Sequence, residues 1–195
     1  MSFTGEMIEE TVQKIFAGDR RTASRLITQL EDGDERGREV MKRLFPRTGR
    51  AMTLGLTGAG GSGKSSLLNQ LIERFRKKGK TVGVIAVDPS SPFSGGAFLG
   101  DRIRIQRHTR DDGVYIRSMA SRGYLGGLSR ATTEVLRVME AMGFEVIMVE
   151  TLGAGQDEID VIRLVQTCLL VTTPSMGDEI QALKAGIMEI GDIFI

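Results

Sequence analysis

A chain of 195 residues, 41% of them hydrophobic, can bury one substantial core, so one main domain with an appendage is the expectation. Its 26 basic residues against 25 acidic ones leave a net charge of +1, which argues against nucleic-acid or membrane-surface binding. The single cysteine, Cys168, excludes an internal disulfide framework and any multi-cysteine metal cluster; set in an apolar run, it reads as a packed core thiol.

The N-terminus has early acidic residues and no long apolar core, unlike a secretory signal. No apolar run nears the ~20 residues needed to span a bilayer, so a soluble, cytoplasmic protein is expected. Residues 1–50 read as a helical extension. Ile8, Val12, Ile15 and Phe16 form one helical stripe, and Ala23, Leu26, Ile27 and Leu30 form another. Gly18 and Asp19 make a stop and a restart, the aspartate serving as N-cap. Asp32-Gly33-Asp34 punctuates again before a short helix that Pro46 ends. These stripes predict packing against the main domain, with a partner-binding bundle as the alternative.

Residues 51–195 alternate between strand and helix patterns. Predicted strands are 52–57, 81–87, 114–118, 145–149, 167–173 and 193–195; predicted helices are 65–78, 129–142 and roughly 179–189. Such alternation predicts an α/β fold with a mostly parallel central sheet flanked by helices. Ligands then gather where strands end and helices begin, which is where the glycines and aspartates fall.

After the first predicted strand comes Gly58-Ala59-Gly60-Gly61-Ser62-Gly63-Lys64-Ser65, the P-loop pattern Gly-x4-Gly-Lys-Ser/Thr, with Ser66 and a helix-period run behind it. Glycines let consecutive N–H groups curl around phosphate oxygens, and the helix N-terminus adds partial positive charge. Lys64 can reach the outer phosphates, and the Ser65 hydroxyl can bind magnesium. A chance match in a chain of this composition is on the order of one or two per cent, so a nucleotide site is the expectation.

A nucleotide triphosphatase also needs oxygen ligands for magnesium and loops that sense the terminal phosphate. Asp88 follows the strand ending at Val87, Asp101 sits in a glycine-rich loop, and Glu150 caps the strand ending at Val149, where a Walker-B carboxylate belongs. Gly153 offers a backbone N–H for a γ-phosphate. His108, among Arg104, Arg107 and Arg110, reads as a solvated surface residue, and the Arg102–Arg110 cluster as a solvated face or a protein-partner patch.

These residues carry a resemblance. The chain resembles the MeaB/ArgK family of GTPases that chaperone cobalamin-dependent acyl-CoA mutases, within the SIMIBI class of P-loop proteins. The matching segments are Gly-Leu-Thr-Gly-Ala-Gly-Gly-Ser-Gly-Lys-Ser-Ser at 55–66, Asp-Pro-Ser-Ser at 88–91 and Ser-Gly-Gly-Ala-Phe-Leu-Gly-Asp-Arg-Ile-Arg at 94–104. They continue with Arg-Gly-Tyr-Leu-Gly-Gly-Leu-Ser at 122–129, Val-Glu-Thr-Leu-Gly-Ala-Gly-Gln at 149–156, and Gly-Asp-Glu-Ile-Gln-Ala-Leu-Lys-Ala-Gly-Ile-Met-Glu at 177–189.

The resemblance implies GTP/GDP and Mg2+ as ligands. Lys64 would contact the β- and γ-phosphates; Ser65, Asp101 and Glu150 would hold the magnesium or its waters, with Asp88 close by. Residues 88–104 would be a first switch, Gly153–Gln156 would lie in a second, and Asp178–Lys184 would form a third. The switches would relay nucleotide state to an adenosylcobalamin-dependent mutase of the methylmalonyl-CoA mutase type, which would raise GTP hydrolysis on docking. Asp88, Gln156 and Lys184, in that order, are candidates for orienting the attacking water.

One departure stands out. Guanine selectivity in such proteins rests on Asn-Lys-x-Asp, which does not occur here; the chain stops at Gly191-Asp-Ile-Phe-Ile195, resembling the strand just ahead of that motif. A truncated form is therefore expected, with base selectivity open and without the C-terminal helices that supply the family's homodimer contact. An ATP-using ATPase or kinase of the amino-acid-transport type stays an alternative, as does a nucleotide-dependent binding module with negligible turnover of its own. A metal-storing chaperone is disfavoured, because one histidine and one cysteine cannot build such a store.

Overall fold

A computed structural model describes residues 5–89, 106–121, 127–151, 160, 162–173 and 189–195. The chain opens with three helices, α1 (Gly5–Phe16), α2 (Arg20–Glu31) and α3 (Glu35–Leu44). The first restart is capped as its sequence suggests, the Asp19 carboxylate accepting from the Thr22 amide at 2.6 Å, and at the second Asp34 accepts from the Arg36 amide at 2.9 Å. Pro46 sits in a single 3-10 turn, Phe45–Arg47, that finishes α3.

The remainder is a six-stranded sheet with helices on both faces. Its strands are β1 (Met52–Thr57), β2 (Val82–Pro89), β3 (Val114–Ser121), β4 (Val146–Thr151), β5 (Thr167–Leu170) and β6 (Ile193–Phe194), and its helices are α4 (Lys64–Lys77) and α5 (Gly127–Ala141). The spatial order is β3-β2-β4-β1-β5-β6, and the strands pair in parallel throughout. Of the helix expected over 179–189, residues 179–188 lie outside the described residues and Glu189 is in a turn.

Alternation along the strands divides the core in two. Val82, Val84, Val146 and Met148 point to α4, where Leu68 and Ile72 meet them. Ile85, Ile147 and Val149 point the other way, into a cluster with Val135, Val138 and Met139 of α5. That second cluster also takes in Val12, Ile15, Leu26, Ile27 and Leu44, so the helical stripes pack on the main body as expected. Burying each such side chain contributes roughly 1.5–3 kcal/mol, which makes this shared core the main tie between the helices and the sheet.

Polar contacts fix the docking angle. The Ser24 and Tyr115 hydroxyls meet at 2.9 Å, Arg117 pairs with Glu31 at 2.7 Å, and Arg20 donates to the Asp112 carbonyl at 2.6 Å, so α2 is fastened along the edge strand β3. Behind α3, the buried Glu140 carboxylate accepts from the Gly49 and Ala51 amides at 2.8 and 3.1 Å, which pins the connector into β1. At the other edge, Ile193, Phe194 and Ile195 are half-exposed.

Three strands, β2, β3 and β4, run past the apolar runs that announced them, whereas β5 stops at Leu170 and β6 at Phe194, short of the expected 173 and 195. Asp88 and Glu150, expected just beyond strand ends, lie within β2 and β4, where Asp88 is in register with Ala120, and Glu150 with both Leu56 and Ala86. A central parallel strand keeps ladder partners on both sides, so polarity alone does not end it.

Candidate nucleotide-binding site

The site forms at the C-terminal ends of the central strands. β1 ends at Thr57, the chain turns through Gly58–Gly63, and α4 begins at Lys64. Gly63 precedes the helix with φ +96°, a left-handed value open to glycine and costly for other residues. A Cβ built on Gly60, Gly61 or Gly63 would meet no atom of the described residues within 4 Å, so among these residues the outer side of the loop is open. Gly58 is the opposite case, lying so close to the carbonyl of Val171 that no side chain fits.

Lys64 and Ser65 occupy the first turn of α4, and both are buried. The Lys64 ammonium donates to the Gly58 and Ala59 carbonyls, each at 2.7 Å, so the cation is held at the loop. The Ser65 hydroxyl donates to Glu150 Oε1 at 2.8 Å, joining α4 to β4. Glu150 is only 3% exposed, and a carboxylate buried to that degree calls for compensating donors or a cation. Sequence spacing alone thus located three groups that the fold brings to one end of the sheet.

These residues fit a magnesium-bound phosphate chain. The Ser62 hydroxyl oxygen is buried within the loop and has no hydrogen-bond partner among the described residues, which leaves it able to donate to a phosphoryl oxygen. Ser65 and Glu150 offer two adjacent hard oxygens of the kind that would suit magnesium, with phosphates and waters as its further ligands. Among the described residues no group of three or more His, Cys, Asp or Glu could hold a metal without such help. Ser66, directly behind the motif, is exposed.

Of the other expected site residues, Asp88 is placed by its backbone in β2 while its side chain is outside the described set. Asp101, Gly153, Gln156 and Lys184 lie outside the described residues. One feature escaped the sequence reading. Thr151 donates through its hydroxyl to that of Thr57 at 3.2 Å, with both side chains buried beside the loop. Only the register of β1 against β4 reveals this pair, because the residues are far apart in sequence.

His108 corrects an expectation. It is buried rather than solvated: 8% exposed, in a 3-10 turn at Gln106–His108. Arg107 pairs with Glu73 of α4 at 3.2 Å, and its Nε donates to His108 Nε2 at 3.3 Å. Burial, then the Arg107 charge, holds the imidazole below its ordinary value, favouring the neutral form. Cys168 is the packed thiol expected, its pKa pushed up to about 11 by burial and then by Asp192.

A cleft of about 800 Å³ opens where β1 and β4 begin, between Phe16, Arg47, Met52, Phe75 and Phe144. The phosphate loop lies at the other end of those strands, so the cleft is no part of this site. Among the described residues no helix is long and apolar enough to cross a membrane.

Comparison with known proteins agrees with the geometry. The family model described as "Methylmalonyl Co-A mutase-associated GTPase MeaB" matches residues 23–195. A putative GTPase of Pyrococcus abyssi is 53% identical over 189 residues, covering 97% of this chain and 58% of its own length. The GTPase ArgK of Escherichia coli is 35% identical over 192 residues, covering 96% of this chain and likewise 58% of its own. The chain thus spans less than two thirds of the length of these relatives. A crystal structure of an LAO/AO transport system kinase superposes with a TM-score of 0.73 at 28% identity, covering all of this chain and 57% of that one.

Proposed function

The chain belongs to the family of methylmalonyl-CoA mutase-associated GTPases called MeaB, and from that premise we propose that it is a magnesium-dependent GTP-binding and GTP-hydrolysing chaperone for an adenosylcobalamin-dependent acyl-CoA mutase. The observation that carries this reading is the convergence of Lys64, Ser65 and Glu150 at the P-loop. Residues 51–195 would be the GTPase unit and residues 1–50 a helical extension docked on it. The protein would work in the cytoplasm.

In this reading Gly58–Ser66 cradle the phosphates with backbone amides and the Ser62 hydroxyl, and Lys64 neutralises charge on the β- and γ-phosphates. Ser65 and Glu150, with Asp101 and Asp88, hold the cation or its waters. Bound magnesium would supply positive charge to the phosphate oxygens as the terminal bond breaks. The Gly153 amide would face the γ-phosphate, and Asp88, Gln156 or Lys184 would orient water. The mutase would supply the signal that speeds hydrolysis. GTP is favoured over ATP because the matched family and the relatives described above are named as GTPases.

Titration calorimetry with GDP, a non-hydrolysable GTP analogue and ATP, each with and without magnesium, tests the reading. Guanine nucleotides should bind with magnesium-dependent affinity, and Lys64→Ala should abolish binding. Absence of heat from the wild-type chain, or equal affinity in Lys64→Ala, refutes the site. Phosphate release measured with and without methylmalonyl-CoA mutase tests the chaperone role.

A further inference from the structure

We propose that Thr57 and Thr151 are positioning residues whose hydroxyl-to-hydroxyl bond sets the spacing between the P-loop and Glu150, and thereby the strength of magnesium-dependent nucleotide binding. The proposal rests on the reading of the loop as a nucleotide site. Thr57 is the last residue of β1 and directly precedes Gly58, whose carbonyl is one of the two that receive the Lys64 ammonium. Thr151 is the last residue of β4 and directly follows Glu150. The two are therefore one residue from the cation-bearing and the carboxylate-bearing halves of the site.

The pair sits where the backbone ladder gives out. β1 and β4 are in register from Met52 opposite Val146 to Leu56 opposite Glu150, and the threonine pair is the next step beyond. At that step the bond between the strands is made by side chains, at 3.2 Å. Alternation puts Thr57 and Thr151 on the α5 side, with Val149, and Glu150 on the α4 side, where Ser65 meets it. The end of β4 is thus gripped on both faces, by Ser65 on one and Thr57 on the other.

Two buried hydroxyls are not what packing alone would select. Thr57 is 1% exposed and Thr151 0%, and two valines of the same shape would fill the space without desolvating polar groups. What hydroxyls add is a directional bond of defined length, which matters when a cation must meet oxygens from both strand ends at fixed distances.

The double variant Thr57→Val/Thr151→Val removes both hydroxyls of the pair together and keeps the shape of each side chain, so positioning is read apart from packing. Its thermal midpoint should stay close to wild type. GDP affinity measured by calorimetry with and without magnesium chloride is the readout. The enhancement produced by magnesium should fall by about tenfold, the scale of one lost hydrogen bond, while magnesium-free affinity stays within about twofold. Thr151→Ser, which keeps the hydroxyl, should retain the enhancement, and Thr151→Val should lose it. An undiminished enhancement in the double variant overturns the proposal, as does its loss in Thr151→Ser. If wild type binds no GDP under either condition, the nucleotide-site reading fails first and carries the proposal with it.

Discussion

The Ser65 hydroxyl donates to Glu150 across 2.8 Å, linking the first turn of α4 to the end of β4 with both groups buried. Because α4 is also the helix of Lys64, this bond holds an ammonium, a hydroxyl and a carboxylate at one strand end. Substituting Ser65 with alanine removes a donor from a buried carboxylate, and destabilisation of about 1–3 kcal/mol is expected. Glu150→Gln keeps the shape and an acceptor but removes the charge. It should fold normally, bind nucleotide with little magnesium dependence, and hydrolyse GTP at least about tenfold more slowly. Thermal melts and a phosphate-release assay check both outcomes.

A second prediction concerns the far end of α4. Arg76 grips Asp111 through two bonds, Nε to Oδ2 at 2.8 Å and Nη2 to Oδ1 at 2.9 Å, and the Gly113 amide adds a third at 2.8 Å. The Arg76 guanidinium first, and then the Gly113 amide, hold the Asp111 carboxyl below its ordinary value of 3.8. A carboxylate lowered in this way contributes its stability above 3.8 and loses it as pH falls through the lower, folded value. Both side chains keep a quarter to a third of their exposure, so solvent screens the pair and it is worth only about 0.5–1 kcal/mol. Asp111→Asn should therefore melt below wild type at pH 7, and the gap should close as pH drops below about 4.

His108 offers a direct probe of burial. It is the only histidine in the chain, so its imidazole gives a single resolved titration by NMR. Burial and the adjacent Arg107 push its pKa down, Glu73 and Asp111 pull it up, and the net direction is below 6.5. The unfolded chain then binds a proton that the folded chain resists. Stability is full above 6.5 and declines as pH falls from there toward the folded value. An NMR midpoint below 6.5 is expected, and a midpoint at or above it contradicts the buried, neutral ring. His108→Gln should flatten the stability profile just below pH 6.5, as thermal melts across that range would show.

The site and the surrounding fold differed in how far local sequence could reveal them. The P-loop was legible because its function is written in consecutive residues, from the turn-forming glycines to Lys64 and Ser65. The N-terminal stripes were legible because helical period and the Asp19 cap are local signals. Glu150 was found as an acid after an apolar run, but its place inside β4 depends on ladder partners from β1 and β2 that no local pattern shows. His108 looked solvated among arginines, and only the packing of its turn against α4, marked by the Arg107–Glu73 pair, puts it inside. The Thr57–Thr151 contact needed strand order as well as register, since β4 inserts between β2 and β1.

Two glycines of the loop make opposite predictions. Gly58 has φ +138°, and a Cβ added there would lie 2.1 Å from the Val171 carbonyl oxygen, a backbone atom that cannot move aside. Gly58→Ala should cost more than about 3 kcal/mol, through strain combined with steric overlap, and should abolish nucleotide binding together with stability. Gly60 has no positive φ, and an added Cβ would meet nothing among the described residues within 4 Å. Gly60→Ala should leave the melting temperature within the equivalent of about 0.5 kcal/mol of wild type. If the open space beside Gly60 is where phosphates sit, the methyl group still competes with them, and GDP affinity should drop while stability holds. A Gly60→Ala variant that binds GDP as tightly as wild type would mean that this face of the loop is turned to solvent. Loss of stability in that variant would instead make Gly60, like Gly58, a backbone constraint.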